Sequence, residues 1–219
     1  FCGHGRILTP LAAAGHKIMG LDLSEVFLQS LRERLERLPT GVKTRASFRQ
    51  ADVIKDEWPS GFDVVILGAN CLYELATPQE QEHCIKSAAG ALVPGGCLYL
   101  DNDHMEGDLD PSWCRSGVQQ NAFPTGICAD GTRIQGTSET IWHDKARRLV
   151  RFRRTVTIQT SDGQVHKREW VQQKHPPSTE EMSGWLQVHG FVIEKLWGNR
   201  HREPYADRSP RAVFWARKG

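Results

Sequence analysis

Residues 1–24 read FCGHGRILTPLAAAGHKIMGLDLS. Gly3 and Gly5, one residue apart, let a backbone turn tightly and approach a ligand with no Cβ in the way. Arg6 to Ala14 has the composition of a short helix stopped by Gly15, and a helix start directs free N–H groups at whatever lies above the glycines. Lys17 to Asp22 is a short apolar run ending in an acid, which suits a buried strand. A glycine turn with an acid 19 residues after Gly3 is the spacing by which nucleotide-binding α/β folds accept ribose hydroxyls, because one carboxylate takes both protons. The competing role for Asp22 is capping of the next helix beside Ser24.

Outward from this stretch, segments alternate. Ser24 is an N-cap for a helix with an apolar stripe of Val26, Leu28, Leu31, Leu35 and Leu38. Ser47 to Ala51 reads as a strand, and Phe62 to Leu67 has the uniformly apolar character of a central parallel strand. Thr77-Pro-Gln-Glu80 is a capping box opening a helix to about Leu92. A Pro94-Gly95-Gly96 turn precedes a strand over Cys97–Asp101. Strands separated by helices require right-handed crossovers, so the fold class is α/β, doubly wound and mostly parallel.

From Arg133 the pattern changes to three long segments rich in Thr, Val, Ile and Trp, joined by HDKARR and SDG turns. They form an antiparallel three-stranded meander, inserted over residues 127–176 of a single domain spanning 1–219. Ser178-Thr-Glu-Glu181 starts a further helix, and Phe191–Trp197 and Ala212–Arg217 are closing strands.

Composition excludes several function classes. The net charge is +2, with 28 basic and 26 acidic residues, too mild a balance to name a polyanionic partner. Lys145 to Arg154 holds six basic residues in ten, read as a solvated hairpin face with nucleic acid as the competing reading. The six cysteines fall in no CxxC pair, so they are read as reduced thiols in a cytoplasmic protein, and no histidine spacing marks a metal site. No apolar run approaches the length of a membrane span. In a dinucleotide site the position three after Gly5 is a third glycine; here it is Leu8, which disfavours an NAD-dependent oxidoreductase and favours a ligand with a ribose and no pyrophosphate.

CGHGRILTPLAAAGHKIMGLDLS resembles the first motif and second strand of class I S-adenosylmethionine-dependent methyltransferases. Phe1 stands where that family's pattern has its first glycine. Further resemblances follow in order: Ala51-Asp-Val53, Leu67-Gly-Ala-Asn-Cys-Leu72, Leu92-Val-Pro-Gly-Gly96 and the closing Pro204–Arg211 hairpin. The resemblance implies S-adenosyl-L-methionine as cofactor, bound by Cys2, Gly3, Gly5, Arg6, Asp22, Leu23, Asp52, Val53, Gly68 and Asn70. It implies methyl transfer to an N or O nucleophile of a small molecule, with nucleic-acid methylation and non-catalytic nucleoside binding as alternatives. Asn-Cys-Leu-Tyr73 stands where base-methylating enzymes carry a DPPY-like tetrapeptide, which makes nucleic acid the lesser substrate.

Ligands of open α/β sheets bind beyond the carboxyl ends of the strands, so Asn70, Cys71, Tyr73, Asn102, Asp103 and His104 are expected to face the reacting centre. Tyr73 and His104 are the candidate catalytic groups, His104 as a base, and they line the acceptor together with Arg168 and Trp170. The resemblance implies that the antiparallel insertion is a cover closing over a small substrate, and Trp142 and His175 are further candidates from it. The resemblance also places the fold's first strand upstream of Phe1, leaving two central sheet edges open. Residues 1–219 alone are therefore expected to fold poorly, and roughly 10–40 upstream residues to restore a cooperative melt.

Overall fold

The computed structural model describes residues 1–103 and 105–219. Helix α1 (Leu8–Ala13) follows the glycine turn, then strand β1 (Ile18–Asp22), helix α2 (Glu25–Glu36), a single turn α3 (Thr40–Lys43) and strand β2 (Ala46–Gln50), parallel to β1. Ser24 caps α2 by accepting the Phe27 amide. Leu28, Leu31 and Leu35 are buried as the stripe requires, whereas Val26 is 78% exposed because its position falls off the face turned to β1 and β2. Leu8, Cys2, Ile18 and Phe48 complete this small core.

Strand β3 (Phe62–Leu67), helix α4 (Pro78–Ala91) and strand β4 (Leu92–Asp103) form the next parallel unit. Thr77 and Glu80 close the expected capping box. The Pro94–Gly96 turn is instead an irregularity within β4, where the register with β3 slips between Phe62 and Val64. Helix α5 (Thr179–Val188), strand β9 (Phe191–Trp197) and strand β10 (Arg211–Lys218) complete a sheet of order β3-β4-β10-β9, with β10 antiparallel to both neighbours. Among the described residues β3 pairs only with β4, and no ladder joins it to β1. Val64 is consequently 42% exposed, unlike the residues of a central strand. The main core lies on the α4–α5 side, with Ile85, Leu98, Leu100, Met182, Leu186 and Phe214 buried at 1% exposure or less. Each such side chain contributes about 1.5–3 kcal/mol through burial.

The cover is a separate antiparallel sheet of four strands: β5 (Gln119–Ile127), β6 (Arg133–Asp144), β7 (Leu149–Gln159) and β8 (Val165–Lys174). The expected meander is β6–β8. Strand β5 was not foreseen, since it is exposed throughout, contains Pro124 and pairs irregularly. Its Phe123 lies over Gly136, where a Cβ would sit 2.1 Å from the ring. No described helix is long and apolar enough to cross a membrane.

The glycine turn separates two requirements. A Cβ on Gly5 (φ +83°) would lie 2.4 Å from Leu31 Cδ1, whereas one on Gly3 (φ +53°) would meet nothing within 4 Å. Gly5→Ala is expected to destabilise by about 1–3 kcal/mol, combining backbone strain with overpacking, and Gly3→Ala by about 1 kcal/mol from strain alone. Urea unfolding of the two variants measures the difference.

Candidate functional site

The two sequence-predicted ends of the cofactor site are brought together at the carboxyl ends of β1 and β2. Asp22, 8% exposed, accepts the Gly3 amide at 2.7 Å on Oδ2 and the Ser24 amide at 3.0 Å on Oδ1. Each oxygen keeps a second lone pair, so the carboxylate holds the glycine turn and retains capacity for two hydroxyls. The bond to the Ser24 amide at the entry to α2 is the predicted capping role, and it leaves acceptor capacity on the carboxylate. Leu23 beside it is 65% exposed, an apolar surface next to a buried acid. The Asp22 carbonyl accepts the Ala51 amide at 2.9 Å, which sets Asp52 next to Leu23.

Asp52 is bonded within its own turn: Oδ1 accepts the Ile54 amide at 3.0 Å and Lys55 Nζ lies 3.3 Å from Oδ2. The Ile54 amide is the chief cause of its lowered pKa. Val53 is buried, and its carbonyl accepts Trp58 Nε1. Cys2 packs against β1 and donates its amide to Leu21; burial pushes its thiol up to about 11, so it is a packing group. Arg6 is exposed. The open space above Gly3, the free acceptor capacity of Asp22 and the exposed Leu23 fit an adenosine-bearing ligand.

The second part of the site lies beyond β3 and β4. Gly68 comes close to the start of α1, its Cβ position being 3.2 Å from Ile7. Ala69 (φ 59°) and Asn70 (φ 64°) are successive non-glycine residues in the left-handed region. Such residues cost roughly 1–3 kcal/mol each, asparagine least, and cluster at functional sites. The turn is held from β4: the Ala69 amide faces Asp101 Oδ2 at 3.4 Å, the Asn70 amide donates to the Asp101 carbonyl at 3.0 Å, and Asn70 exchanges side-chain bonds with Asp103. Arg211 donates to Asp101 Oδ1 at 2.5 Å, to Asn70 Oδ1 at 2.8 Å and to Asp103; Arg200 donates to Asp101 Oδ2 at 2.8 Å.

Tyr73 is buried and donates its hydroxyl to the Asp103 carbonyl at 3.0 Å. Burial, followed by the Asp103 charge, raises its pKa strongly, which keeps the hydroxyl protonated. Asn102 corrects an expectation. Strand alternation sends Asp101 and Asp103 to the site and Asn102 into the core, where it is wholly buried and donates to Met182 Sδ at 3.1 Å. His104 lies outside the described residues.

The cover meets this region at its β8 end. Gln172 and Lys174 contact Glu74, and Gln173 donates to the Ala76 carbonyl. Arg168 and Trp170 share a face, as alternation predicts, but they line a separate groove of about 630 Å³ with Val156, Ile158 and His166. None of Asn70, Tyr73 and Asp103 borders it. Trp142 is 39% exposed under Arg151. The basic run is absorbed locally: Arg148 donates to the Met105 and Pro176 carbonyls, Arg153 pairs with Glu139 and Glu169, and Arg154 lies over Phe152. His175 is fully buried, with Nδ1 2.8 Å from Gln81 Oε1 and Nε2 3.3 Å from Glu181 Oε1. It ties the cover's exit to α4 and α5. Among the described residues no cluster of three metal-ligating groups occurs.

Asp101, Arg200 and Arg211 were missed from sequence. Their only local sign was the Asp101-x-Asp103 alternation at a strand's carboxyl end, because Arg211 reaches its partners across 108 and 110 positions.

Residues 2–98 match a family model described as a methyltransferase domain. The chain is 32% identical over 100 residues to a ubiquinone biosynthesis O-methyltransferase of Idiomarina loihiensis, covering 45% of this chain and 38% of that protein. A Bordetella bronchiseptica protein of the same description is 28% identical over 99 residues, covering 45% and 39%. The chain thus spans well under half the length of these curated relatives. Among solved structures, the CcbJ methyltransferase from Streptomyces caelestis is superposed over 100% of this chain and 86% of its own, at TM-score 0.73 and 22% identity. An amino pentose methyltransferase from Micromonospora echinaspora, solved with SAM bound, covers 100% and 80% at TM-score 0.64 and 20% identity. The fold is the Rossmann-like one of these solved methyltransferases.

The Glu181 carboxylate gives this scaffold an acid limb. Burial pushes its pKa up, but the His175 ring and the Ser178 amide outweigh burial and bring it from 4.5 to about 2. A depressed acid stabilises the fold above its unfolded value and loses that contribution as pH falls through the folded one. Stability is expected to decline between 4.5 and about 2, and Glu181→Gln to flatten that slope in urea titrations across pH.

Proposed function

We propose that this chain is an S-adenosylmethionine-dependent methyltransferase acting on a small-molecule acceptor. The observation that carries the reading is the Asp22 carboxylate, buried at the end of β1, gripping the Gly3 amide at 2.7 Å while keeping a lone pair on each oxygen for a ribose. The match of residues 2–98 to a methyltransferase domain supports it.

Bound S-adenosylmethionine supplies an electrophilic methyl on a sulfonium. The chain's own residues divide the remaining work. Asp22 takes the ribose hydroxyls, Leu23 and Val53 border the base, and the Asp52 turn closes that end. Gly3 leaves the backbone open for close approach. Beyond β3, the Ala69–Asn70 turn and Tyr73 form the wall against which an acceptor atom is held in line with the methyl. Positioning of this kind supplies about 7–11 kcal/mol in favourable cases. Tyr73 keeps its proton, directed at the Asp103 carbonyl, and Asp103 is engaged by Arg211 and Asn70. Neither serves as a general base. The acceptor is therefore one that presents a lone pair at working pH, or that releases its proton elsewhere; His104, next to Asp103, is proposed as its contact.

The small-molecule reading is supported by the structural neighbours, among them a sugar N-methyltransferase from Streptoalloteichus with TM-score 0.71 and 19% identity. It is supported also by the local partners of the basic run, in which Arg153 pairs with Glu139 and Glu169 while Arg151 and Arg154 lie over Trp142 and Phe152. A cytoplasmic location is part of the same proposal.

Calorimetric titration with S-adenosylmethionine, S-adenosylhomocysteine and NAD tests this. The first two are expected to bind and NAD not to; preference for NAD overturns the proposal. Asp22→Ala is expected to weaken S-adenosylmethionine by about 1–3 kcal/mol.

A further inference from the structure

We infer that Arg211 is a positioning residue for the sulfonium and amino-acid end of the bound cofactor, acting through the Ala69–Asn70 turn; this rests on the methyltransferase reading above. The turn stands at the carboxyl end of β3, where ligands of open α/β sheets bind, and Gly68 leads into it from beside Ile7 of the glycine-turn helix. Two successive left-handed non-glycine residues persist only where their surroundings over-determine them.

The determinants are few, and Arg211 bonds the three side chains that supply most of them. Asp101 receives the Asn70 amide on its carbonyl and faces the Ala69 amide with Oδ2, while Oδ1 is held by Arg211 Nε at 2.5 Å. Asp103 exchanges two bonds with the Asn70 side chain and is paired with Arg211 Nη1. Asn70 Oδ1 itself takes Arg211 Nη2 at 2.8 Å. One planar guanidinium thus fixes three acceptors, two on β4 and one in the turn after β3, a task for which a lysine's single ammonium has the wrong shape. The register pairs Arg211 directly with Asp103, which delivers the guanidinium across the ladder. Its side chain is 16% exposed, so water competes weakly, whereas Arg200, which touches only Asp101 in the clamp, is 52% exposed. The partners of Asp22, Leu23 and Asp52 include none of Arg211, Asp101, Asp103 and Asn70, so the two ends of the cofactor are expected to report separately on the clamp.

The test is calorimetric titration of the wild type, Arg211→Lys and Arg211→Ala with S-adenosylmethionine and with adenosine, which keeps base and ribose and lacks the sulfonium and amino acid. Arg211→Ala is expected to weaken S-adenosylmethionine by about tenfold or more, with a smaller loss in Arg211→Lys and adenosine affinity within about twofold in both. Methylguanidinium added to Arg211→Ala is expected to restore part of the lost affinity. Arg217→Gln, on the same strand but paired with Glu194 on the surface, is expected to change neither ligand. If Arg211→Ala does not fold, Arg211→Lys carries the test. Equal loss of both ligands, or no loss of either, overturns the inference. Failure of the wild type to bind S-adenosylmethionine instead removes the methyltransferase reading itself.

Discussion

Everything at the cofactor end depends on one carboxylate being buried and still under-used. Asp22 is 8% exposed, and a charge so placed must be hydrogen-bonded or it destabilises the fold. The Gly3 and Ser24 amides meet that requirement from opposite sides, one from the glycine turn and one from the entry to α2. The acid therefore fixes the distance between the turn and the helix. Because each oxygen accepts two bonds, stabilising the loop does not consume its capacity for a ligand. Gly5 imposes the complementary condition: the turn packs onto Leu31 so closely that no side chain fits between them.

The far end of the site is built differently. There the backbone is strained and its restraint is ionic, a guanidinium and two aspartates one pleat apart on β4. Alternation along the strand does the sorting, sending Asp101 and Asp103 to the site and Asn102 to Met182 in the core. The cover is fastened to the same region through Glu74, Ala76 and the buried His175. Its groove around Arg168 and Trp170 is a distinct surface. Rigid scaffold and attached cover thus converge on the short segment between Gly68 and Ala76.

What was legible in the amino-acid order follows from the range over which sequence signals act. Capping boxes at Thr77 and Ser178, the apolar stripe of α2 and the glycine turn are all decided by neighbours within about four positions, and all are seen. The spacing of Gly3 and Asp22 is also readable, because one helix and one strand bridge it with a nearly fixed length. Strand β5 escaped because its residues face solvent and carry no alternation to detect.

The sequence by itself therefore determined the alternating α/β order, the glycine–acid pair and the antiparallel cover, since each arises from local periodicity or a short crossover. Only the tertiary structure decided which acids became partners of Arg211, that His175 is a buried tie between helices, and that Arg168 and Trp170 line a groove of their own. Those facts depend on which strands lie side by side and in what register. For Arg211 and His175 that is fixed by packing across 110 and 94 positions, where the chain's order carries no periodic trace.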